Sequence, residues 1–370
     1  MRKRSFLLSL LLGALIISGC GKEKTSMDIK YDVDQYVSLP SDYKKLSVSI
    51  TGDYEVTDDK VNDYIAQAIS NVAPYVADDT KTEVESDSVV NVNYVGKTDG
   101  KAFSGGSADN VNINVADNTD ATSGSSYIEG FSSGLVGAKV GDTVDCNVTF
   151  PSDYSESSLA GKAAVFTFTV NFIGKKADIT NINDEYTKTN FNIDTVDKFK
   201  DTAKSDVESS LKASKASAIR SAVVEKLGKE SKVRYPADLV NMRVEEFKNR
   251  YREQNGIADD ESLEDYVKKN LKISLKKFES EARKDVKSNL KTELIAEEIA
   301  SKQNIKFDEK GYKKFIKNLK TQNKYSTNTE LFEAYAPNSK SGEAYMKKMY
   351  VCTKAIDYVE NRAEVTVSQE

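Results

Sequence analysis

The chain has 370 residues, no histidine and three cysteines, Cys20, Cys146 and Cys352. Without histidine there is no Ser-His or Cys-His nucleophile pair and no histidine-ligated metal, and three scattered cysteines leave no zinc site. Whatever chemistry the chain performs, it performs without the usual acid–base residue of neutral pH. A strongly basic balance is missing too. The 53 Lys and Arg stand against 58 Asp and Glu, a formal charge of −5 with the signs interleaved, which argues against nucleic acid as the main partner. What remains, 39% hydrophobic and 30% charged residues, is a globular composition long enough for two or three domains.

One apolar run stands out, residues 6–17 (FLLSLLLGALII), preceded by Arg2, Lys3 and Arg4 and followed by Ser18-Gly19-Cys20. A charged start, then roughly 7–15 apolar residues, then small residues make an export signal, too short to span a bilayer comfortably. Ile17-Ser18-Gly19-Cys20 resembles a bacterial lipobox, which implies diacylglycerol transfer to Cys20, cleavage before it and acylation of the new amino terminus. Two or more chains on one residue suffice for stable anchoring, because each buried CH₂ contributes about 0.8 kcal/mol. Loss of Arg2, Lys3 and Arg4 takes the formal charge from −5 to −8, so the lipid, not the acidic body, is the expected membrane contact. The expected location is the outer face of the bacterial cytoplasmic membrane. Residues 1–19 read as the signal, and 20–40, polar and without sustained periodicity, as a tether.

Val61, Tyr64, Ile65, Ala68, Ile69 and Val72 form the stripe of an amphipathic helix over 57–72, with Thr57 as N-cap and Pro74 ending it. From about 86 to 175 the period changes to two. Val90, Val92, Tyr94; Val111, Ile113, Val115; Val144, Cys146, Val148, Phe150; and Phe166, Phe168, Val170, Phe172 alternate between Gly-rich turns, with Asp99-Gly100 a hairpin signal. This reads as an antiparallel β domain. From about 194 the pattern is helical again. Asp194 caps a helix that stops at Gly228, Pro236 opens the next, and one long helix is expected over 262–303, then shorter ones near 308–321 and 341–361. The pattern fits extended arms and an ordinary bundle equally, and it leaves a Cys146–Cys352 disulfide open.

Three stretches of the β block carry a resemblance: VNVNYVG (90–96) with GKAF (100–103); YIEGF (127–131) with GLVGAKVGD (134–142); and VTFPSDY (148–154) with LAGKAAVF (159–166). In order, spacing and residue types they resemble an FKBP-type peptidyl-prolyl isomerase, and FPSDY…LAGKAAVF resembles the version in trigger factor. Weaker likenesses to the helical chaperone domain of trigger factor lie at 54–69, 234–247 and 345–365. The resemblance implies an α+β fold class. An FKBP-like antiparallel β domain (81–175) is inserted into an extended all-helical trigger factor/SurA-like chaperone domain (176–370), and a helical segment (41–80) packs with the latter. Nothing resembles the ribosome-docking domain that opens trigger factor, so no ribosome partner is expected.

Rotation about an X–Pro bond faces a barrier of about 18–20 kcal/mol from amide resonance, and lowering it needs neither a nucleophile nor histidine. A dry aromatic pocket disfavours the more polar planar amide, and a fixed N–H holds the substrate carbonyl. By resemblance, Tyr94, Phe103, Ile128, Phe131, Tyr154 and Phe166 are the catalytic positions, and Tyr127 and Leu159 bind substrate. Phe131 is then the floor, Phe103 and Phe166 the walls, the Ile128 N–H the carbonyl donor and Tyr154 a rim group. No metal or cofactor is implied. The implied partners are unfolded or proline-containing exported polypeptides, and the membrane through lipidated Cys20. Two departures stand out. Ser104 follows Phe103 where many FKBP domains carry an acid, and the loop 116–126 (ADNTDATSGSS) is longer than usual, reshaping one rim. The competing readings are a holding lipoprotein with an inactive FKBP-like domain, a parvulin-type foldase (whose sites are rich in the histidine missing here) and a solute-binding lipoprotein, which needs alternating strands and helices.

Overall fold

The computed structural model describes residues 24–369; the signal segment and Cys20 lie outside the described residues. In chain order the elements are β1 (Val37–Ser38), β2 (Ser47–Thr51), α1 (Asp58–Val72), β3 (Tyr75–Ala77), β4 (Val89–Thr98), β5 (Lys101–Asn114), β6 (Thr119–Asp120), β7 (Thr143–Thr149) and β8 (Ala163–Lys176). They continue as α2 (Asp184–Phe191), α3 (Val196–Glu230), β9 (Lys232–Val233), α4 (Ala237–Gln254), α5 (Leu263–Tyr266), α6 (Leu275–Lys302), α7 (Glu309–Asn323), α8 (Asn328–Tyr335), α9 (Ser339–Glu360) and β10 (Glu364–Ser368). The fold class is the expected α+β. Contacts divide the chain into two units, one comprising Tyr54–Lys212, the other the described parts of Met1–Asp53 with Ala213–Glu370. The divisions therefore fall outside the 81 and 175 expected from pattern, because α1, α2 and the start of α3 pack together. Ile65 and Ile69 of α1 meet Ile182, Phe199 and Ala203 there.

In the unit Tyr54–Lys212, β8 is the axis of a six-stranded antiparallel sheet. It pairs with β4 along one edge, and with β7 and then the short β3 along the other; β5 and β6 continue beyond β4. Asp99 and Gly100 both take positive φ, 52° and 74°, and close the β4–β5 hairpin as a two-residue turn. The inward residues follow the period-two pattern, with Cys146, Val148, Phe150, Phe166, Phe168 and Val170 buried. Phe172 breaks it. The β4–β8 register slips between Asn91 and Val92, so Asn171 is an extra residue and Ile173, 2% exposed, turns inward in place of Phe172. The bulged Asn171 donates to the side chains of Asn91 at 2.8 Å and Asn93 at 3.0 Å.

The other unit is built on α4, α6 and α9, with the end of α3. Val223, Leu227, Leu239, Val244, Leu294, Ile299, Ile356 and Val359 share one core with Leu46 and Val48 of the N-terminal segment. β2 and β10 pair in parallel, and β1 pairs with β9. The described part of the expected tether is therefore packed structure. Val37 is 4% exposed, and Ile29, Tyr31, Val33 and Tyr36 lie against the core. It carries no periodicity because it is made of 3₁₀ turns, Ser26–Asp28 and Val33–Gln35, and a two-residue strand.

The helix expected over 262–303 is broken. A π-helical turn over Val267–Leu271 ends at Lys272, φ 58°, and Ser274 caps α6 by accepting from the Lys277 N–H. Asp194 is no cap either: Thr195 Oγ1 accepts from the Lys198 N–H at 3.2 Å, while the Asp194 carboxylate pairs with Lys188 and Lys198. Helix α3 runs through Gly228 to Glu230. Thr57 does cap α1. Cys146 and Cys352 are both buried free thiols. Among the described residues no helix is long and apolar enough to cross a membrane.

Candidate active site

The sheet brings its aromatics to one face. β4 supplies Tyr94, β5 Phe103, and β8 Phe166 and Phe168, while Phe150 closes β7. Tyr127, Ile128 and Phe131 come from the turn after β6, and Tyr154 and Leu159 from the segment between β7 and β8. All the residues expected from the resemblance lie in this one cluster. Phe131, Leu159 and Phe166 are buried, and Tyr94, Phe103, Tyr127, Ile128 and Tyr154 are half-buried around them.

Phe131 is the hub. Its ring centroid lies 4.7 Å from Phe166, 5.0 Å from Phe168 and 5.2 Å from Tyr94, each edge to face, the geometry that aromatic quadrupoles favour. Tyr127 meets it differently, stacked at 4.3 Å and 18°. Phe103 stands edge-on to Phe166 at 5.9 Å and to Phe150 at 5.7 Å, and Tyr154 leans on Phe150 at 4.7 Å. Two glycines make room for these rings: a Cβ at Gly96 would overlap Phe166, and one at Gly106 would come within 2.6 Å of Phe103.

The loop 116–126 forms a small hairpin. Thr119–Asp120 pairs with β5, and a further bridge joins Thr119 to Ser126. Asn118, φ 48°, sits inside it. Its amide nitrogen donates to the carbonyls of Tyr127 at 3.3 Å and Ile128 at 2.8 Å, and its oxygen accepts from the Ser132 N–H at 3.1 Å and hydroxyl at 2.9 Å. Asn118 thus holds in place the peptide that carries the Ile128 N–H. Among the described residues no protein acceptor takes that N–H.

Asp120 is the carboxylate of this rim. One oxygen accepts from the N–H groups of Thr122 and Ser123, and the other lies 3.4 Å from the Tyr127 hydroxyl. Burial pushes the Tyr127 and Tyr94 hydroxyls above the ordinary tyrosine pKa, with the Asp120 charge adding to it. Both remain neutral donors at physiological pH. Ser104 is exposed. The site therefore offers apolar surface, neutral hydroxyls and a free backbone donor, and among the described residues no three or more acidic or cysteine side chains gather as a metal site would need.

Asn118, Asp120, Phe150 and Phe168 were not singled out as site residues from the sequence. The strand alternation carried Phe150 and Phe168. An Asn inside a polar loop, a residue type that tolerates positive φ, was the only sign of Asn118.

Two known families match this chain. The description FKBP-type peptidyl-prolyl cis-trans isomerase matches residues 80–173, and bacterial trigger factor protein C-terminus matches residues 195–360. The chain carries both domains. The FKBP-type match encloses every residue of the aromatic cluster from Val84 to Ile173. A trigger factor from Streptococcus equi subsp. zooepidemicus is 34% identical over 260 residues, covering 69% of this chain and 58% of that protein. One from Desulforamulus reducens is 29% identical over 285 residues, covering 76% and 61%. One from Streptococcus mutans is 29% identical over 332 residues, covering 88% and 72%. The chain thus spans less than two thirds of the first two relatives.

Proposed function

We propose that the FKBP-type domain catalyses cis–trans isomerisation of X–Pro bonds in polypeptides that the helical unit holds unfolded. The observation that carries this is the half-buried aromatic rim over Phe131, beside an Ile128 N–H that has no protein acceptor among the described residues. A polar group left this way takes a ligand or water, and a substrate carbonyl is of the right kind. Rotation needs only the amide moved out of water and one end held. Phe131 is 3% exposed, with Tyr127 stacked on it. A prolyl ring reaches Phe131 only when Tyr127 swings aside, loosening the Tyr127–Asp120 contact.

The holding part rests on the trigger factor C-terminal match and on apolar surface within the helical unit. A cavity of about 610 Å³ there is lined by Met27, Ile29, Val33, Phe307 and Val351 among others. The clients we propose are unfolded exported chains, met at the outer face of the cytoplasmic membrane with Cys20 as the lipid anchor. Support for this location is the basic start, the apolar run 6–17 and Ile17-Ser18-Gly19-Cys20. Cys20→Ser is expected to release the protein from the membrane fraction; unchanged retention contradicts the anchor.

A second reading keeps binding without turnover. The covered floor and Ser104 in place of an acid favour it. A protease-free prolyl isomerisation assay separates the two.

A further inference from the structure

Within the helical unit, α4, α6, α8 and α9 enclose a cavity of about 250 Å³. Its walls are aromatic, with Phe247 and Tyr251 on one side and the stacked pair Tyr335 and Tyr345 on the other. Arg243 and Arg250 of α4, about two helical turns apart, both line it.

Two arginines and two glutamates line this cavity, but they are not paired one to one. Arg243 lies over the Tyr345 ring at 4.8 Å and reaches Glu293 at 3.4 Å and Glu246 at 3.9 Å. Glu293 is also held by Lys348 at 2.6 Å, and Glu246 accepts the Ser26 N–H at 2.6 Å. Each carboxylate that lines the cavity is therefore engaged. The half-buried Arg250 guanidinium has no ion pair and no hydrogen-bond partner among the described residues. The buried Arg243 Nε lacks a hydrogen-bond acceptor as well. A guanidinium stays charged at any physiological pH; Glu246 and Glu253 act on that of Arg250 only from beyond ion-pair distance, against the cost of its burial, which leaves its donors open to a carboxylate.

We propose that this cavity binds an apolar carboxylate, its carboxylate on Arg250 and its aromatic or branched group among Phe247, Tyr251, Tyr335 and Tyr345. The volume is below the roughly 300–1,000 Å³ of sites for drug-sized molecules, so the occupant is a single side chain or a chain end. Two sources share this chemistry: a polypeptide C-terminus on an apolar residue, and an acidic side chain beside one. The polypeptide source rests on the holding function proposed above; the acid preference of the cavity does not.

Calorimetric titration of the protein with N-acetylphenylalanine, with its amide, and with an end-blocked Glu-Phe dipeptide tests the site. The free acid is expected to bind about tenfold or more tighter than the amide, the ratio a hydrogen bond to a charged group supports. Arg250→Gln is expected to erase the preference and Arg250→Lys to keep part of it. Once the free acid binds, binding of the dipeptide as well assigns the side-chain source, and binding of the free acid alone assigns the chain end. Equal binding of acid and amide, no binding of the acid, or an acid preference undiminished in Arg250→Gln overturns the proposal. The acid–amide comparison is made on the wild type and so does not depend on any variant folding. An intact acid preference in a protein that fails to suppress client aggregation sinks the holding function and leaves this site standing.

Discussion

Tyr127 lies flat on Phe131, ring centroids 4.3 Å apart and 18° from parallel, while every other aromatic neighbour meets Phe131 at a steep angle. A stack this close leaves no room for a third ring between them. In the function proposed above, Tyr127 covers Phe131, stacked on its ring and with its hydroxyl 3.4 Å from Asp120. Tyr127→Leu is therefore expected to lower KM for a proline peptide about threefold or more, since less aromatic contact, of about 0.5–1.5 kcal/mol per pair, is given up on opening. Steady-state kinetics checks this. A rise in KM makes Tyr127 a binding wall and contradicts its role as a cover.

Asn118 makes four side-chain hydrogen bonds across the Tyr127–Ile128–Ser132 turn. Asn118→Gly keeps the positive φ accessible but removes the amide. We expect kcat/KM to fall about tenfold, with the melting temperature lowered by roughly ten degrees, as four lost bonds at about 1 kcal/mol each shift a unit of this size by about 2–4 °C per kcal/mol. Full activity in a folded Asn118→Gly protein shows that the Ile128 donor needs no such latch.

In the helical unit, Lys348 sits between Glu293 and Glu297 and also donates to the Tyr31 hydroxyl at 2.8 Å. Burial presses its ammonium toward the neutral form, but the two carboxylates outweigh this and hold its pKa above the ordinary 10.5. Lys348→Met leaves both carboxylates, 7% and 18% exposed, without it, and is expected to cost about 3 kcal/mol in urea unfolding. Glu297, unlike Glu293 with its Arg243, has no second cation among the described residues, and adding Glu297→Gln is expected to restore part of that loss. A single-variant cost below about 1 kcal/mol contradicts the account, since that is the range of exposed ion pairs.

Asp308 caps α7 through the Gly311 N–H at 2.7 Å and accepts from the Tyr350 hydroxyl at 2.6 Å and Lys354 at 2.9 Å. The Tyr350 hydrogen bond first, then Lys354 and the Gly311 N–H, hold its carboxyl well below the ordinary 3.8. A carboxyl depressed in the folded state contributes stability that is complete above its unfolded pKa and is lost as pH falls through the folded value. The stability difference between wild type and Asp308→Asn is thus expected to be constant above about pH 5 and to shrink below pH 4. A difference that is unchanged down to pH 2 contradicts the network.

Much of this was legible in the residue pattern, for identifiable reasons. Strands with one buried face repeat every second residue, so Val90, Val92, Phe166 and Phe168 announced themselves, and Asp99-Gly100 marked its own turn. The Phe172 side was misread because a bulge at Asn171 shifts the phase, and a bulge leaves no mark in an alternating string. The break at Lys272 has neither Gly nor Pro to signal it. Residues 24–39 use turns too short to show a period, and their burial comes from residues far along the chain, as in Val37↔Val233. At the site the aromatic positions were readable from strand and motif together. The Asn118 latch was not, because a hydrogen-bonded loop has no periodicity to read.

The central claim is catalysis by the aromatic site, and a protease-free prolyl isomerisation assay tests it directly. The wild type is compared with Phe131→Leu, a change that removes the ring face and keeps a buried apolar side chain at a cost of about 1–1.5 kcal/mol. We expect accelerated isomerisation by the wild type and at least a tenfold loss of kcat/KM in a Phe131→Leu protein that remains folded by circular dichroism. No acceleration by the folded wild type, or undiminished acceleration by the variant, contradicts the assignment of this cluster as the active site.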